Sequence, residues 1–415
     1  MMRFILVKRF LFILFVCLMC VSEVAAEKAK NPSALQSQKI NAATPVTDTV
    51  KPELPNSTIP MDVDVLAKQA MLVDYQTGTV LLQKRAEEPM HPSSMTKIMT
   101  AYLAIEKIKN KIVSLETPIT VGPNGWRVEG SSMFLNIKDV VKVEDLLKGI
   151  IIQSGNDACI VLAEGLSGTE AAFAAEMTRT AHQMGATQTT FKNATGLPHP
   201  EHLTTAKDLI TIAIHALKNH PEFCHLYGEK NFTYGGITQG NRNPLLYKNI
   251  GCDGIKTGKT NIAGFGMVAS CMQQGQRFIL VINGMPSMQA RADEATKLIT
   301  WAMRTFANYR LFSAGQTIDQ IPVWNGKENV MPITVEKDAI ITLARVGRPD
   351  MKVKLQYNSP IQAPISKGTN VGKIIITSSA LPRPIEIPLV AAVSVEKANF
   401  FKRLTDSISH LFASS

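Results

Sequence analysis

The hydrophobic pattern changes period along this chain. AMLVD (70–74) and VLLQKR (80–85), joined by Gln76, Thr77 and Gly78, predict a β-hairpin. Pro92 then precedes a helical pattern with Met95, Ile98, Met99, Tyr102 and Leu103 on one face. From about 105 to 220 the spacing stays mostly helical, with loops at PNGWRVEGSS and ATGLPHPEH. From 251 the texture turns to strands: GIKTGKT, FGMVASCM and RFILVING. A last helix is predicted at about 290 to 308, packing through Ala295, Leu298, Ile299, Ala302 and Met303. Strands at both ends with helices between predict one α/β domain over 61–309, its sheet closed late in the chain.

Residues 310–390 have another character. MKVKLQY (351–357) alternates with period two, KIIIT and PIEIPLV are short strand candidates, and Pro322, Pro332, Pro360, Pro364, Pro382 and Pro384 punctuate the segment. This predicts a small β-sandwich domain. In the segment 391–415, a helix from roughly 393 to 412 would gather Phe400, Phe401, Leu404, Ile408, Leu411 and Phe412 on one face. Such a helix is expected to lie in a membrane interface rather than cross it. The alternative is a helix docked on the preceding domain.

Residues 1–26 belong to none of these. Arg3, Lys8 and Arg9 precede the apolar run Phe10–Val21, and Val24-Ala25-Ala26 offers a small-residue cleavage site, so a secretory signal peptide is expected. Residues 27–60 are too poor in bulky apolar side chains to offset their ordering entropy and are expected to be a flexible leader. The formal charge is +10; losing three basic residues and Glu23 with the signal leaves +8. An exported basic protein meets anionic lipid or wall polymer rather than nucleic acid, and no basic tract interleaved with aromatics supports a nucleic-acid role. Cys159, Cys224, Cys252 and Cys271 remain, widely spaced and without zinc-type clustering. Buried thiols are expected, with a Cys224–Cys252 or Cys252–Cys271 bridge as alternatives in an oxidising compartment. The eight histidines show no HExxH spacing, so neither metal nor other cofactor is expected.

PSSMTK (92–97) puts Ser94 three residues ahead of Lys97, on one face of a helix start that supplies partial positive charge and free N–H groups. A serine needs a base to become a nucleophile, and a lysine serves only when neutral, which takes burial and a neighbouring cation. Alone, S-x-x-K is a weak signal, since Ser394-Val-Glu-Lys397 matches it too. Two further motifs occur: Ser154-Gly155-Asn156, with a hydroxyl to relay a proton and an amide to hold a substrate amide, and Lys256-Thr257-Gly258, a second cation, a hydroxyl donor and a glycine that admits a substrate backbone. Each alone reads as an ordinary loop or turn. The three in this order, spaced by 60 and 102 residues, form the set found in β-lactamases and penicillin-binding proteins.

HPSSMTKIMTAYLA, IIQSGNDACIVLAE, ATGLPHPEHLTTAKDL and DGIKTGKTNIAGFGMVAS resemble the D-alanyl-D-alanine carboxypeptidases, the low-molecular-mass penicillin-binding proteins, over about residues 61–395. The resemblance implies a penicillin-recognising α/β domain, with an antiparallel sheet between helices plus a helical subdomain, then a β-rich domain and an amphipathic anchor. It implies a cofactor-free serine carboxypeptidase that removes the terminal D-alanine from peptidoglycan stem peptides and is acylated by β-lactams. Carried over by motif, Ser94 is the acylated nucleophile, Lys97 its base and Ser154 the proton shuttle. Asn156 binds the substrate amide, while Lys256, Thr257 and Gly258, with Arg291 from ARADEATKLITW, receive the terminal carboxylate. The backbone N–H groups of Ser94 and Lys259 form the oxyanion hole. A class A β-lactamase fits less well: the only acid in the corresponding loop is Glu201, followed four residues on by Thr205 rather than Asn. A non-catalytic wall-binding protein would be expected to lack the nucleophile, base or relay.

Overall fold

A computed structural model describes residues 63–403. The expected signal peptide, the leader and residues 404–415 of the C-terminal segment lie outside them. Five strands form the first sheet: β1 (Gln69–Asp74), β2 (Val80–Lys84), β3 (Cys252–Thr260), β4 (Gly264–Gln273) and β5 (Gln276–Met285). Their order is β2-β1-β5-β4-β3, antiparallel throughout. The first hairpin thus joins the last three strands only when β1 pairs with β5, Leu72 opposite Leu280.

The period-two alternation of a strand explains how this sheet is covered on both faces. Val73, Val268, Ile279 and Val281 face one core, shared with α1 (Lys97–Lys109), α2 (Asn156–Ser167), α3 (Glu170–Gln183) and α4 (Ala206–Asn219). Leu72, Ala269, Leu280 and Ile282 face the other, against Ala295, Leu298, Ile299 and Ala302 of α5 (Met288–Thr305). Helix α1 is buried from Lys97 to Ile105, as a helix must be when apolar all round. Helix α5 ends at Thr305, not at 308, because Phe306 turns extended and stacks edge-on against Trp301 at 5.1 Å.

The second domain contains β6 (Phe306–Phe312), β7 (Asp319–Trp324), β8 (Val330–Thr334), β9 (Ala339–Ala344), β10 (Lys352–Tyr357), β11 (Ile361–Gln362), β12 (Asn370–Thr377) and β13 (Ile385–Ala391). A six-stranded sheet in the order β10-β12-β13-β8-β7-β11 shares one core with the β6–β9 ladder. Polar contacts tie this domain to the tip of the first hairpin. The Asp74 carboxylate accepts from Asn308 Nδ2 at 3.0 Å and Gln276 Nε2 at 2.9 Å, and the Thr77 and Thr342 hydroxyls meet at 2.5 Å.

Two expectations are corrected. Cys252 and Cys271 are disulfide-bonded rather than free thiols, because the β3–β4 register sets them directly opposite; Cys159 is a buried thiol and Cys224 a partly buried one. The backbone at 393–399 is not helical. Val395 pairs with Ile365 and buries its side chain in the β-domain core, and Lys397 bridges to Gly326. Backbone pairing with Ile365 and Gly326 outweighs the helical pattern there. A helical turn begins at Phe400, where Phe400 and Phe401 are exposed. Among the described residues no single helix is long and apolar enough to cross a membrane.

Leu280 lies at the centre of the sheet with no exposed surface. Leu280→Ala is expected to cost about 2–5 kcal/mol, read as a lower urea midpoint with little change in slope.

Candidate active site

A single tight turn, Ser93–Thr96, leads directly into α1 and presents Ser94, half-buried, with the buried Lys97 behind it. Ser93 adopts a positive φ of 50° and sets the turn. Lys97 is 1% exposed, and its Nζ donates to Ser94 Oγ at 3.2 Å, Asn156 Oδ1 at 2.8 Å and the Thr195 carbonyl at 2.6 Å. Burial above all pushes the Lys97 pKa down, and the positive charge of Arg242 adds to the effect. Cys159 lies beneath it, but burial pushes that thiol up to about 12, so it stays neutral and does not hold the lysine proton.

The second motif follows one wide helical turn (Gly149–Gln153), after which Ser154 takes a left-handed φ of 61°. Its Oγ is buried without a hydrogen-bond partner, a cost of about 1–3 kcal/mol that a role in proton transfer would account for. Asn156 was expected to hold a substrate amide. Here it also joins Lys97 to the adjoining loop, its Nδ2 donating to the Glu129 carbonyl at 2.8 Å. The next residue, Asp157, was missed: its buried carboxylate accepts from Met133 N, Leu135 N and Ser132 Oγ and pins that loop.

The third motif lies on β3, the edge strand beside the turn that carries Ser94. Lys256 and Thr257 are buried, and Lys256 is held well below the ordinary lysine range by burial, then by the charges of Lys97 and Arg242. Gly258 also serves a neighbour within the chain. A Cβ there would lie 3.0 Å from the Pro92 carbonyl oxygen, 3.1 Å from Ser93 Cβ and 3.2 Å from Met95 Cγ. The glycine lets the strand press against the turn that carries Ser94. Lys259 turns its side chain out to Asn261.

Arg291, read from sequence on a helix where arginines are usually solvated, is 5% exposed at the start of α5. Burial lowers its pKa to about 10, its guanidinium lies 5.9 Å from the Phe265 ring centroid, and its field helps depress Lys256. Arg242, which carried no sequence signal, stands opposite as a further cation, donating to Ser131 Oγ at 2.5 Å. Glu201 faces solvent in a 2.9 Å ion pair with Lys192. Among the described residues no cluster could hold a metal ion.

A serine-bearing turn, a buried lysine and a cation-lined edge strand on an antiparallel sheet define a serine hydrolase of the penicillin-recognising class. Residues 56–287 match the peptidase S11 family, described as D-alanyl-D-alanine carboxypeptidase, and residues 306–397 match the C-terminal domain of penicillin-binding protein 5. The D-alanyl-D-alanine carboxypeptidase DacC of Escherichia coli (strain K12) is 36% identical over 355 residues, 83% of this chain and 88% of the relative. DacD of Salmonella typhimurium is 34% identical over 82% of this chain and 89% of its own. Penicillin-binding protein 5 from Haemophilus influenzae superposes with a TM-score of 0.77 at 31% identity, covering 81% of this chain and all of that one. The chain belongs to the D-alanyl-D-alanine carboxypeptidase family of serine peptidases.

Gly258→Ala is expected to slow penicillin acylation about 100-fold, because the added methyl displaces the turn that carries Ser94, with a small shift in melting temperature. Stopped-flow labelling beside a thermal melt separates the two effects.

Proposed function

We propose that the chain removes the terminal D-alanine of peptidoglycan stem peptides through an acyl-enzyme on Ser94. The observation that carries this is a buried, pKa-lowered lysine whose Nζ lies 3.2 Å from the Ser94 hydroxyl. In its neutral form Lys97 takes the Ser94 proton as Oγ attacks the carbonyl carbon of the penultimate D-alanine. The N–H groups of Ser94 and Lys259 receive the developing oxyanion. Ser154 passes a proton to the departing D-alanine amine as the C–N bond breaks. Lys256, Thr257, Gly258 and Arg291 hold the terminal carboxylate, and Asn156 orients the peptide amide. Water then cleaves the ester and restores Ser94. A β-lactam follows the first half of this path, opening its ring on Ser94 and leaving no departing amine to diffuse away. The activity serves peptidoglycan maturation and cell-shape maintenance.

We further propose that the protein works outside the cytoplasm after loss of residues 1–26, on the outer face of the cytoplasmic membrane. The segment from Phe400 carries it there, with Phe400 and Phe401 exposed while Lys402 Nζ fastens the start of the segment to the carbonyls of Gly326 and Lys327.

Release of D-alanine from a diacetyl-Lys-D-Ala-D-Ala peptide tests the first reading. Ser94→Ala is expected to abolish release and penicillin labelling at unchanged melting temperature, and Lys97→Ala to lower both about 10²–10⁴-fold. Penicillin labelling of the Ser94→Ala protein would sink the assignment. Removing residues 400–415 is expected to shift the protein to the soluble fraction of cell lysates with D-alanine release intact; a truncated protein still sedimenting with membranes would refute the anchor.

A further inference from the structure

His202 lies 106 residues from Thr96 and plays no part in the acylation chemistry above, yet the structure sets it against the nucleophile turn. Thr96 is the residue between Met95 and Lys97 and has no exposed surface. Its Oγ1 meets His202 Nε2 at 2.9 Å. On the other side of the ring, the backbone N–H of Lys192 donates to Nδ1 at 3.2 Å. That second bond fixes the tautomer: Nδ1 accepts, so the proton sits on Nε2 and is donated to Thr96. The ring is 2% exposed, with the edge of Phe191 packed at 5.5 Å.

What this histidine fastens is the loop 190–203. Thr190 and Leu203 close the loop with paired backbone bonds of 2.8 and 3.1 Å. From its far side the loop supplies the Thr195 carbonyl to Lys97, and its Gly196 lies so close to the nucleophile turn that a Cβ would fall 1.9 Å from the Ser93 carbonyl oxygen. Thr100 Oγ1 and Glu170 Oε1 hold the Ala194 backbone at 2.7 and 2.9 Å. The tip of the loop is therefore anchored on α1 and α3, whereas His202 is a side-chain link from its base to the turn itself.

We propose that His202 is a positioning residue for acylation: its neutral Nε2–H tautomer clamps the turn bearing Ser94 to the loop that presents the Thr195 carbonyl to Lys97. The proposal rests on Ser94 being the nucleophile. A protonated ring has no acceptor left for the Lys192 N–H, and two donors then face each other across that contact. The charged and titratable groups around the ring oppose protonation or are already engaged. Lys97 is on α1, His91 contacts the His202 carbonyl through Nδ1 at 3.2 Å, His199 is in the loop, and Lys192 and Glu201 pair with each other. Burial leads in lowering the His202 pKa from an ordinary value near 6.5 to about 4, with His199, His91 and Lys97 adding to it. A histidine depressed in the fold takes up its proton more readily when unfolded. The clamp's stability is thus complete above pH 6.5 and is lost as pH falls from 6.5 toward 4.

The test compares His202→Leu, His202→Gln, Thr96→Val and the His202→Leu/Thr96→Val double variant in the detergent-solubilised full chain. Each is mixed with a fluorescent penicillin, and the acylation rate constant is separated from the affinity of the prior non-covalent complex. His202→Leu and Thr96→Val should each lower the rate constant about 100-fold with affinity unchanged, and the double variant should be no worse than either. Glutamine donates to Thr96 at the same reach and cannot titrate, so His202→Gln should recover the rate to within a factor of about three and lose less stability than wild type between pH 6.5 and 4. Wild-type acylation in His202→Leu, no recovery in a folded His202→Gln, or multiplying single effects would each overturn the clamp. Ser94→Ala run alongside keeps the two readings apart, since labelling of that protein would refute the nucleophile and not the clamp alone.

Discussion

The whole molecule is organised around one buried amine. An ammonium group removed from water costs several kcal/mol even after the protein relaxes, and Lys97 meets that cost in a cage drawn from three separate segments. Ser94 comes from the turn, Asn156 from the start of α2, and the Thr195 carbonyl from the loop before α4. Helix α1 is apolar all round because it must carry the lysine into the core, and α2, α3 and α4 close around it. The same burial that stabilises the fold elsewhere here lowers a pKa, so packing and reactivity have a single cause.

The sheet sets the other wall. Its edge strand β3 has a sheet neighbour on one side only, and an edge strand is free to slip unless something holds its register. Three contacts hold it. The Cys252–Cys271 bridge fastens its start to β4, the Ser93 and Thr260 hydroxyls meet at 3.0 Å near its end, and Gly258 allows the middle to lie against the turn that carries Ser94. Lys256 and Thr257 are thereby brought beside Ser94. Of the cations that converge there, Lys97, Arg242 and Arg291 each lower the proton affinity of Lys256, and the four together suit an anionic group.

The β-rich domain is joined to the opposite end of that sheet, through the Asp74 carboxylate at the tip of the first hairpin. Residues 395–398 return to its core before the chain turns helical at Phe400. A segment that opens with the exposed Phe400 and Phe401 therefore begins at a fixed point on the far domain.

The three short motifs, the hairpin, the late strands and the change of texture after residue 310 were all legible in the sequence, because each depends on neighbours a few residues apart or on a period of two or 3.6. The tail shows the limit of that reading: a helical pattern at 393–399 gave way to strand pairing with Ile365, a partner some thirty residues away. Which cysteines pair depended on the β3–β4 register, and what Gly258 makes room for depended on how the turn that carries Ser94 crosses that strand. The Thr195 carbonyl, Arg242 and His202 left no mark in the sequence, since a backbone oxygen has no residue type and a lone arginine or histidine has no spacing. Residue types and local periods carry the chemistry that the chain has available. Only the tertiary contacts, 59 to 106 residues apart along the chain, decide which of those groups share a site and which of them lose their water.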